Sequence, residues 1–342
     1  MTTRFGWHGR LAVALGLTAS LAVAAPAVAA TTVRVSGGTT TLKLDGKTVR
    51  ALKRAGITVS YNKPAKVKGG VVSFPVSGGT IDPATAKGTL THKGGLTIKA
   101  GKKKAALKSI TLNSAKGQFT AKVGKSTVAF ANVKGGKVTR DGFATEVAGY
   151  NVTISKKGAA ALNKALGVRS VKSGTKLGTA GSEPVTREIA LERGTTSIVL
   201  VPQVAGALGQ LRAPIAATAP ATFDAATGTL TYPISGGTLN AENFFGTIEH
   251  GGSVSIANVP LANPTITISA TPKLTISGID AATLTIGELP SVDPATRSIT
   301  VRNVSVVLTE AAAGLLDAQL GGRGLLRGGM TIAVGSLSAT GR

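Results

Sequence analysis

Cysteine is absent from the 342 residues of the chain, so no disulfide can stabilise it and no thiol can act as nucleophile or metal ligand. Aromatic residues make up 4% of the sequence, and 15 acidic residues face 39 Lys and Arg. Neither an HExxH nor a GxSxG motif occurs. These absences argue against a hydrolase or a metalloenzyme, so the sequence predicts no catalytic residue and no metal site.

Long apolar runs are also missing, except near the start. Residues 1–29 combine Arg4 and Arg10 with the apolar run "LAVALGLTASLAVAA" and the small residues Ala27 and Ala29. This pattern is typical of a secretory signal peptide. No later stretch reaches the roughly 20 apolar residues that a membrane-spanning helix requires. We therefore expect a secreted, extracellular protein without a transmembrane segment.

Glycine, threonine, valine and alanine are the abundant residues, and runs such as "VVSFPVSG", "SITLN" and "STVAFANV" recur between turn-like segments. β-branched residues in short runs separated by glycine favour strands over helix bundles. The sequence predicts a mainly antiparallel β fold, either a sandwich or an open barrel, with two short helices per repeat.

The chain contains one segment nearly twice. Phe74 to Leu96 reads "FPVSGGTIDPATAKGTLTHKGGL", and Tyr232 to Val254 reads "YPISGGTLNAENFFGTIEHGGSV". Each copy has a histidine, His92 or His250, 18 positions after the aromatic residue. Similar offsets relate segments on either side, so the repeat extends over about half of the chain.

A duplication of this length predicts two domains, because solenoid repeats are only about 20 to 50 residues long. We place them at 31–180 and 181–342, with "GTAGSEP" as the linker. Ser, Thr and Asp before Ala- and Leu-rich runs, with Gly after them, predict the helices. They are expected near 47–54, 156–166, 203–210 and 310–320.

Charge separates the two predicted domains. Residues 31–180 carry 28 Lys and Arg against 4 Asp and Glu, a net charge of +24, whereas residues 181–342 carry 9 against 11. The basic domain has either a solvated surface or an affinity for a polyanion, such as anionic cell-wall polymer or a lipid surface. Aromatic residues are not interleaved with the lysines, so nucleic acid is not a predicted partner.

Two recurring patterns are interpreted as turns. "SGGT" at 77–80 and 235–238 lacks the GK[ST] ending of a phosphate loop, and its glycines are expected to supply positive φ in turns. Asp82, Asp224 and Asp293 each stand three residues before a threonine, and Asp at the first position favours a hairpin turn.

The histidines have two interpretations. In "GTLTH" strand alternation places Leu90 and His92 on the same face, directed inward or into a cleft. His92 is then a structural residue that hydrogen-bonds a backbone carbonyl, or a residue that binds a ligand through its imidazole.

The block "FPVSGGTIDPATAKGTLTHKGGL" resembles the HtaA-domain family of secreted and cell-surface actinobacterial proteins. The segments "VTISKKGAAALNKALG" and "VSVVLTEAAAGLLDAQLG" resemble the ends of such domains. The resemblance covers most of both repeats. It implies a mainly β fold and haem binding for iron uptake, with the iron held by a tyrosine near the domain start and a histidine hydrogen-bonding that tyrosine.

Of the haem residues that the resemblance implies, only His92 and His250 match directly. The opening motif of the family, with its Trp, Phe, Arg and Tyr, is missing: "LKLDGKTVRALKRAGITVSYNK" contains only Tyr61, and "SIVLVPQVAGALGQLRAPIAAT" contains no tyrosine. The implied cofactor-binding set is thus His92, His250 and Tyr61, although the sequence around Tyr61 does not match.

Two functions remain open from the sequence. The first is a secreted, non-catalytic binding protein whose cofactor is haem. The second is a structural or adhesive protein of the cell envelope, whose basic first domain docks on anionic cell-wall polymer.

Overall fold

The computed structural model describes residues 32–342, and the predicted signal peptide at 1–29 lies outside the described residues. Its strands form two separate sets, here called the first half and the second half. In the first half, the strands are β1 (Val33–Leu44), β2 (Ile57–Asn62), β3 (Lys66–Lys68), β4 (Val71–Ile81), β5 (Gly88–His92), β6 (Gly95–Ala100), β7 (Lys103–Asn113), β8 (Gln118–Val123), β9 (Ser126–Asp141), β10 (Ala144–Ile154) and β11 (Lys176–Thr186). The helices of this half are α1 (Gly46–Arg54) and α2 (Lys156–Leu166).

The second half follows the same plan. Its strands are β12 (Glu188–Leu200), β13 (Ile215–Thr218), β14 (Thr222–Asp224), β15 (Thr229–Asn240), β16 (Gly246–His250), β17 (Ser253–Ile256), β18 (Val259–Ala262), β19 (Thr265–Ile268), β20 (Lys273–Ile276), β21 (Ile279–Ile286), β22 (Ser291–Asp293), β23 (Ser298–Leu308) and β24 (Thr331–Gly341). The helices of this half are α3 (Pro202–Gln210) and α4 (Glu310–Gln319). The predicted mainly β fold with four helices is confirmed.

Each half contains an antiparallel sheet that closes on itself in a barrel-like ring of eight strands, and the second half has a further three-stranded sheet, β13-β17-β18, outside its ring. In the first half the ring runs β7-β5-β4-β1-β11-β10-β9-β8 and returns to β7. In the second half it runs β19-β16-β15-β12-β24-β23-β21-β20 and returns to β19. Eight strands enclose an interior just wide enough for side chains to fill. The two rings correspond strand for strand, and each is closed by its own first and last strand.

The helices begin and end where the sequence predicts. The side chain of Asp45 accepts a hydrogen bond from the backbone of α1, and Ser155 and Thr309 do the same for α2 and α4. Such capping satisfies a donor that a helix otherwise leaves unpaired. Gly167, in the left-handed conformation, follows α2.

The predicted linker "GTAGSEP" is wrong, because residues 178–184 lie within β11 and pair with β1 and β10. Small residues are needed here for packing: a Cβ at Gly178 would lie 1.9 Å from the backbone oxygen of Lys43. The first sheet ends at Thr186 and the second begins at Glu188, so the predicted boundary between residues 180 and 181 cuts a strand. The division into two domains stays a prediction.

The two halves contact each other at a junction where Phe143 of the first half packs against the core of the second and where several polar groups meet. Arg342, at the end of β24, donates from Nε and Nη2 to the two carboxylate oxygens of Asp82, at 3.0 and 3.2 Å. Arg140 donates to the backbone oxygen of Arg342 at 2.9 Å, and the backbone N–H of Arg34 donates to Glu188 at 3.0 Å. A guanidinium that donates two bonds to one carboxylate fixes orientation as well as distance.

Candidate functional site

The two Gly-Gly steps lie inside strands and not in turns, which corrects the turn interpretation. Gly78 and Gly79 belong to β4, where the register with β5 shifts, and Gly237 occupies the corresponding place in β15. Their positive φ values, 155°, 132° and 125°, are as expected for glycine. A Cβ at Gly79 would lie 1.9 Å from the backbone oxygen of Thr89. Glycine in a strand thus makes a bulge and admits the neighbouring backbone.

His92 lies beside this bulge and is buried, with 6% of its surface exposed. Its Nδ1 is 3.1 Å from the carbonyl oxygen of Ile110 on β7, and its Nε2 is 2.7 Å from Oγ1 of Thr40 on β1. A carbonyl only accepts, so Nδ1 carries the proton and Nε2 accepts from the threonine hydroxyl. Thr40 is in turn 3.0 Å from Ser182 on β11. The imidazole therefore links three strands of the ring.

His250 repeats this arrangement in the second half and is 4% exposed. Its Nδ1 is 2.8 Å from the carbonyl oxygen of Pro264, and its Nε2 is 2.7 Å from Oγ1 of Thr196. Tyr232 packs edge-on against the ring, as Phe74 does against His92. The aromatic residue, the Gly-Gly step and the histidine of the repeat thus form one packed unit, which accounts for their fixed spacing.

Burial lowers the pKa of both imidazoles, because the charged form loses its hydration. The pKa of His92 falls to about 4, and that of His250 is lowered for the same reason. Both rings are therefore neutral at physiological pH. All four ring nitrogens have protein partners, so neither histidine presents a free nitrogen to a ligand.

The predicted aspartate turns are confirmed. Asp82, Asp224 and Asp293 each accept from the backbone N–H two residues on and from the threonine hydroxyl three residues on. These bonds favour the carboxylate, and they lower the pKa of Asp224 and Asp293. Their role is to make hairpin turns.

An apolar cavity of about 340 Å³ opens in the first half, beneath α1. Aliphatic side chains from β1, β2, β6 and α2, such as Leu42, Ile57, Ile98 and Leu162, make most of its wall. Ligand pockets in proteins are mostly apolar, with volumes of about 300 to 1,000 Å³. This cavity reaches that range and is the candidate site.

Helix α1 covers the cavity without being packed into the core. Thr48, Val49, Leu52 and Lys53 line the cavity from one face of the helix, yet no residue of α1 is buried. A helix that buries an apolar face against the protein gains most of its stability there. Here the apolar face of α1 borders an open space, so a ligand in the cavity would complete its packing.

The polar side chains in the cavity wall are few: Thr48, Lys53, Thr58 and Tyr61. Burial raises the pKa of Tyr61, because the phenolate loses hydration. Tyr61 lies on the edge strand β2, and neither His92 nor His250 lines the cavity. Of the predicted cofactor-binding residues, the structure places only Tyr61 at this site.

Sequence reasoning missed Lys53 and the aliphatic wall. A signal for α1 was present, since Val49 and Leu52 stand three residues apart and therefore share a helix face with Lys53. The wall itself comes from strands far apart in sequence. No local pattern connects them.

The second half contains a smaller apolar cavity, of about 160 Å³, between α4, β18 and the hairpin of β20 and β21. Its wall is almost wholly aliphatic and includes Tyr232, whose hydroxyl donates to the backbone oxygen of Leu261 at 3.2 Å. The wall also contains Ser277 but no lysine, so the cation that marks the first cavity has no counterpart here. This cavity is below the usual size of a ligand pocket.

The described residues contain neither a cluster of metal ligands nor a membrane-spanning helix. Residues 32–342 contain no group of three or more His, Asp or Glu placed to hold a metal ion. Over the same residues, each helix is too short or too polar to cross a membrane.

Comparison with known proteins gives similarity of fold only. No family model and no curated protein matches the sequence. Among solved structures, the chain is similar to the C-terminal and the N-terminal domains of HtaA from Corynebacterium glutamicum, each at 14% identity and a TM-score of 0.34, over 44% of this chain and 98% of that domain. It is also similar to haem-binding protein HtaB from the same organism, at 14% identity and a TM-score of 0.30, over 45% of this chain and 97% of that one. These structures come from the family that the sequence resembles, and at such identities they carry no argument about the ligand.

Proposed function

We propose that the chain is a secreted, non-catalytic binding protein that holds an apolar ligand with an acidic group in the first-half cavity. The observation that carries this proposal is the 340 Å³ apolar space beneath a helix with no buried residue. Lys53 in the wall supplies a cation for the acidic group, and a charge-assisted hydrogen bond is stronger than a neutral one.

Haem is the ligand that we propose, since the resemblance of the sequence implies it and the cavity wall fits it in two respects. The phenol of Tyr61 is an oxygen donor of a type that ligates haem iron, and the ammonium of Lys53 suits a propionate. Besides the missing opening motif, the fit departs from the resemblance in a further respect. His92 bonds Thr40 and Ile110, so among residues 32–342 no histidine stabilises a phenolate of Tyr61.

The test is a titration with ferric haem and, separately, with metal-free protoporphyrin. We expect Tyr61→Phe to weaken haem binding at least tenfold and to leave protoporphyrin binding unchanged, because only the iron uses the phenol oxygen. Tyr150→Phe is the matched control: Tyr150 is a buried tyrosine of the same half that does not line the cavity. A wild-type chain that shows no saturable change in the haem absorbance would refute the proposal, as would a Tyr61→Phe variant that binds haem like wild type.

Binding should also depend on pH. The pKa of Tyr61 is raised from 10.0, so below that value the phenol must lose a proton when it ligates iron. We expect haem affinity to rise about tenfold per pH unit between pH 6 and 9, beyond any slope seen for protoporphyrin. Equal pH slopes for wild type and Tyr61→Phe would show that the phenol is not the ligand.

A further inference from the structure

Exposed cations occupy α1, which covers the first-half cavity, and the short strand β3. We call the following six side chains of α1 and β3 the basic rim: Lys47, Arg50, Lys53, Arg54, Lys66 and Lys68. All six residues are exposed. No residue from 32 to 342 forms an ion pair with any of them.

The two parts of the basic rim are adjacent in the fold. The turn between β3 and β4 reaches the start of α1, where the backbone oxygen of Gly70 accepts from the N–H of Leu44 at 3.1 Å. Two exposed apolar side chains belong to the same two elements, Val49 at 44% exposure and Val67 at 43%. Val67 pairs directly with Val72, which is fully buried, so Val67 lies on the core face of the sheet and Lys66 and Lys68 lie on the opposite face. Among the described strands β3 pairs only with β4, so a surface that meets this edge of the sheet contacts both faces.

The second half provides an internal comparison. Its helix α3, which corresponds to α1 in chain order, has the sequence "PQVAGALGQ" and contains no charged residue. It buries Val204 and Leu208, whereas α1 buries no residue. The fold therefore needs neither the charges nor the open packing of α1.

We propose that the first half docks on an anionic lipid surface through the basic rim, with Val49 and Val67 entering the headgroup region. Cations attract any polyanion, but exposed valines on the same elements gain stability only from an apolar phase, as in amphipathic segments that lie at a membrane surface. That combination favours a lipid surface over anionic cell-wall polymer. The inference rests on the proposed function in one respect: Val49 and Lys53 belong both to the docking surface and to the cavity wall, so an apolar ligand would pass between lipid and protein without crossing water.

The test is sedimentation with vesicles of phosphatidylglycerol and phosphatidylcholine in equal parts, and with vesicles of phosphatidylcholine alone. We expect binding only to the anionic vesicles, with an affinity that falls at least tenfold between low and physiological salt. Lys47→Glu with Arg50→Glu should lower it at least tenfold. The matched control is Lys134→Glu with Lys137→Glu, which reverses two exposed cations on β9, across the ring from β4.

A second variant separates lipid from polymer. Val67 does not line the cavity, so Val67→Ser should weaken vesicle binding several-fold and leave binding to soluble polyphosphate unchanged. If Val67→Ser has no effect on vesicles and polyphosphate binding needs the basic rim, the partner is an anionic polymer and the proposal is wrong. It is also wrong if the β9 control loses as much vesicle binding as the α1 variant, since net charge then suffices.

The docking proposal and the proposed function can be refuted independently. Haem and protoporphyrin titrations without vesicles should be unaltered by Lys47→Glu with Arg50→Glu, because neither residue lines the cavity. A chain that binds haem but no vesicle refutes the docking alone. One that binds vesicles but no haem refutes the ligand alone.

Discussion

The buried histidines make the stability of the protein depend on pH in a window that can be calculated. The pKa of His92 falls from 6.5 to about 4, because burial penalises the imidazolium. Below pH 6.5 the unfolded chain binds a proton at this residue that the folded chain does not bind until about pH 4. Within that interval the free energy of unfolding falls by about 1.4 kcal/mol for each pH unit. We therefore expect a total fall of about 3 kcal/mol between pH 7 and pH 4.

The histidines and the hydrogen-bonded carboxylates affect stability in different pH ranges. The pKa of Asp224 and Asp293 is lowered from 3.8 by hydrogen bonds, so the stability that these groups contribute is present above pH 3.8 and is lost only below it. The pKa of His250 is also lowered by burial, and this residue adds to the loss above pH 4. A decline in stability between pH 6.5 and 4.5 therefore reports the two histidines.

The assay is urea unfolding at pH values from 7.0 to 4.5, with wild type, His92→Gln and Thr40→Val. Glutamine hydrogen-bonds but does not titrate, so His92→Gln should show a shallower decline. Thr40→Val removes a partner of the imidazole and keeps the imidazole, so it should lower stability by about 1 kcal/mol at pH 7 and retain the decline. A wild-type chain whose stability is constant over this window would refute the reasoning, as would His92→Gln with the full wild-type slope.

Two further substitutions test the packing described above. Gly79→Ala should lower the free energy of unfolding in urea by about 2 kcal/mol or more, because its Cβ would lie 1.9 Å from a neighbouring backbone oxygen. Gly37→Ala is the control and should be nearly neutral, because no atom lies within 4 Å of its Cβ. Similar losses of stability for both variants would contradict the bulge argument. Arg342→Ala should cost about 1 to 3 kcal/mol, since the buried carboxylate of Asp82 loses both guanidinium bonds. Lys273→Ala breaks an exposed ion pair and should cost far less; an equally small effect of Arg342→Ala would show that the junction is not held by this pair.

The elements whose signals are local were predictable from the sequence. Ser155 and Gly167 enclose α2, and Thr309 begins α4, because capping groups act within one helical turn. The duplication predicted equivalent places for His92 and His250. Strand alternation predicted that His92 and Leu90 share a face directed inward or into a cleft, and the burial of both side chains shows that this face is directed inward.

The features that the sequence did not predict depend on contacts between segments distant in the chain. Glycine has the same φ freedom in a turn and in a bulge, so the sequence around Gly79 could not tell one from the other. The segment 178–184 looks like a linker by composition, but the approach of β1 makes its small residues necessary. Tyr61 matches no motif, and only the position of β2 beside α1 brings it to the cavity.

The closure of each ring by its own first and last strand governs when the protein can fold during synthesis. Val35 on β1 pairs with Thr186 on β11, and Leu200 on β12 pairs with Ala333 on β24. A ribosome releases the chain from its start, so neither ring can close until its last strand has emerged, and contacts so far apart in sequence form slowly. We expect a chain ending at residue 175 to remain open to proteolysis, and one ending at residue 187 to resist it.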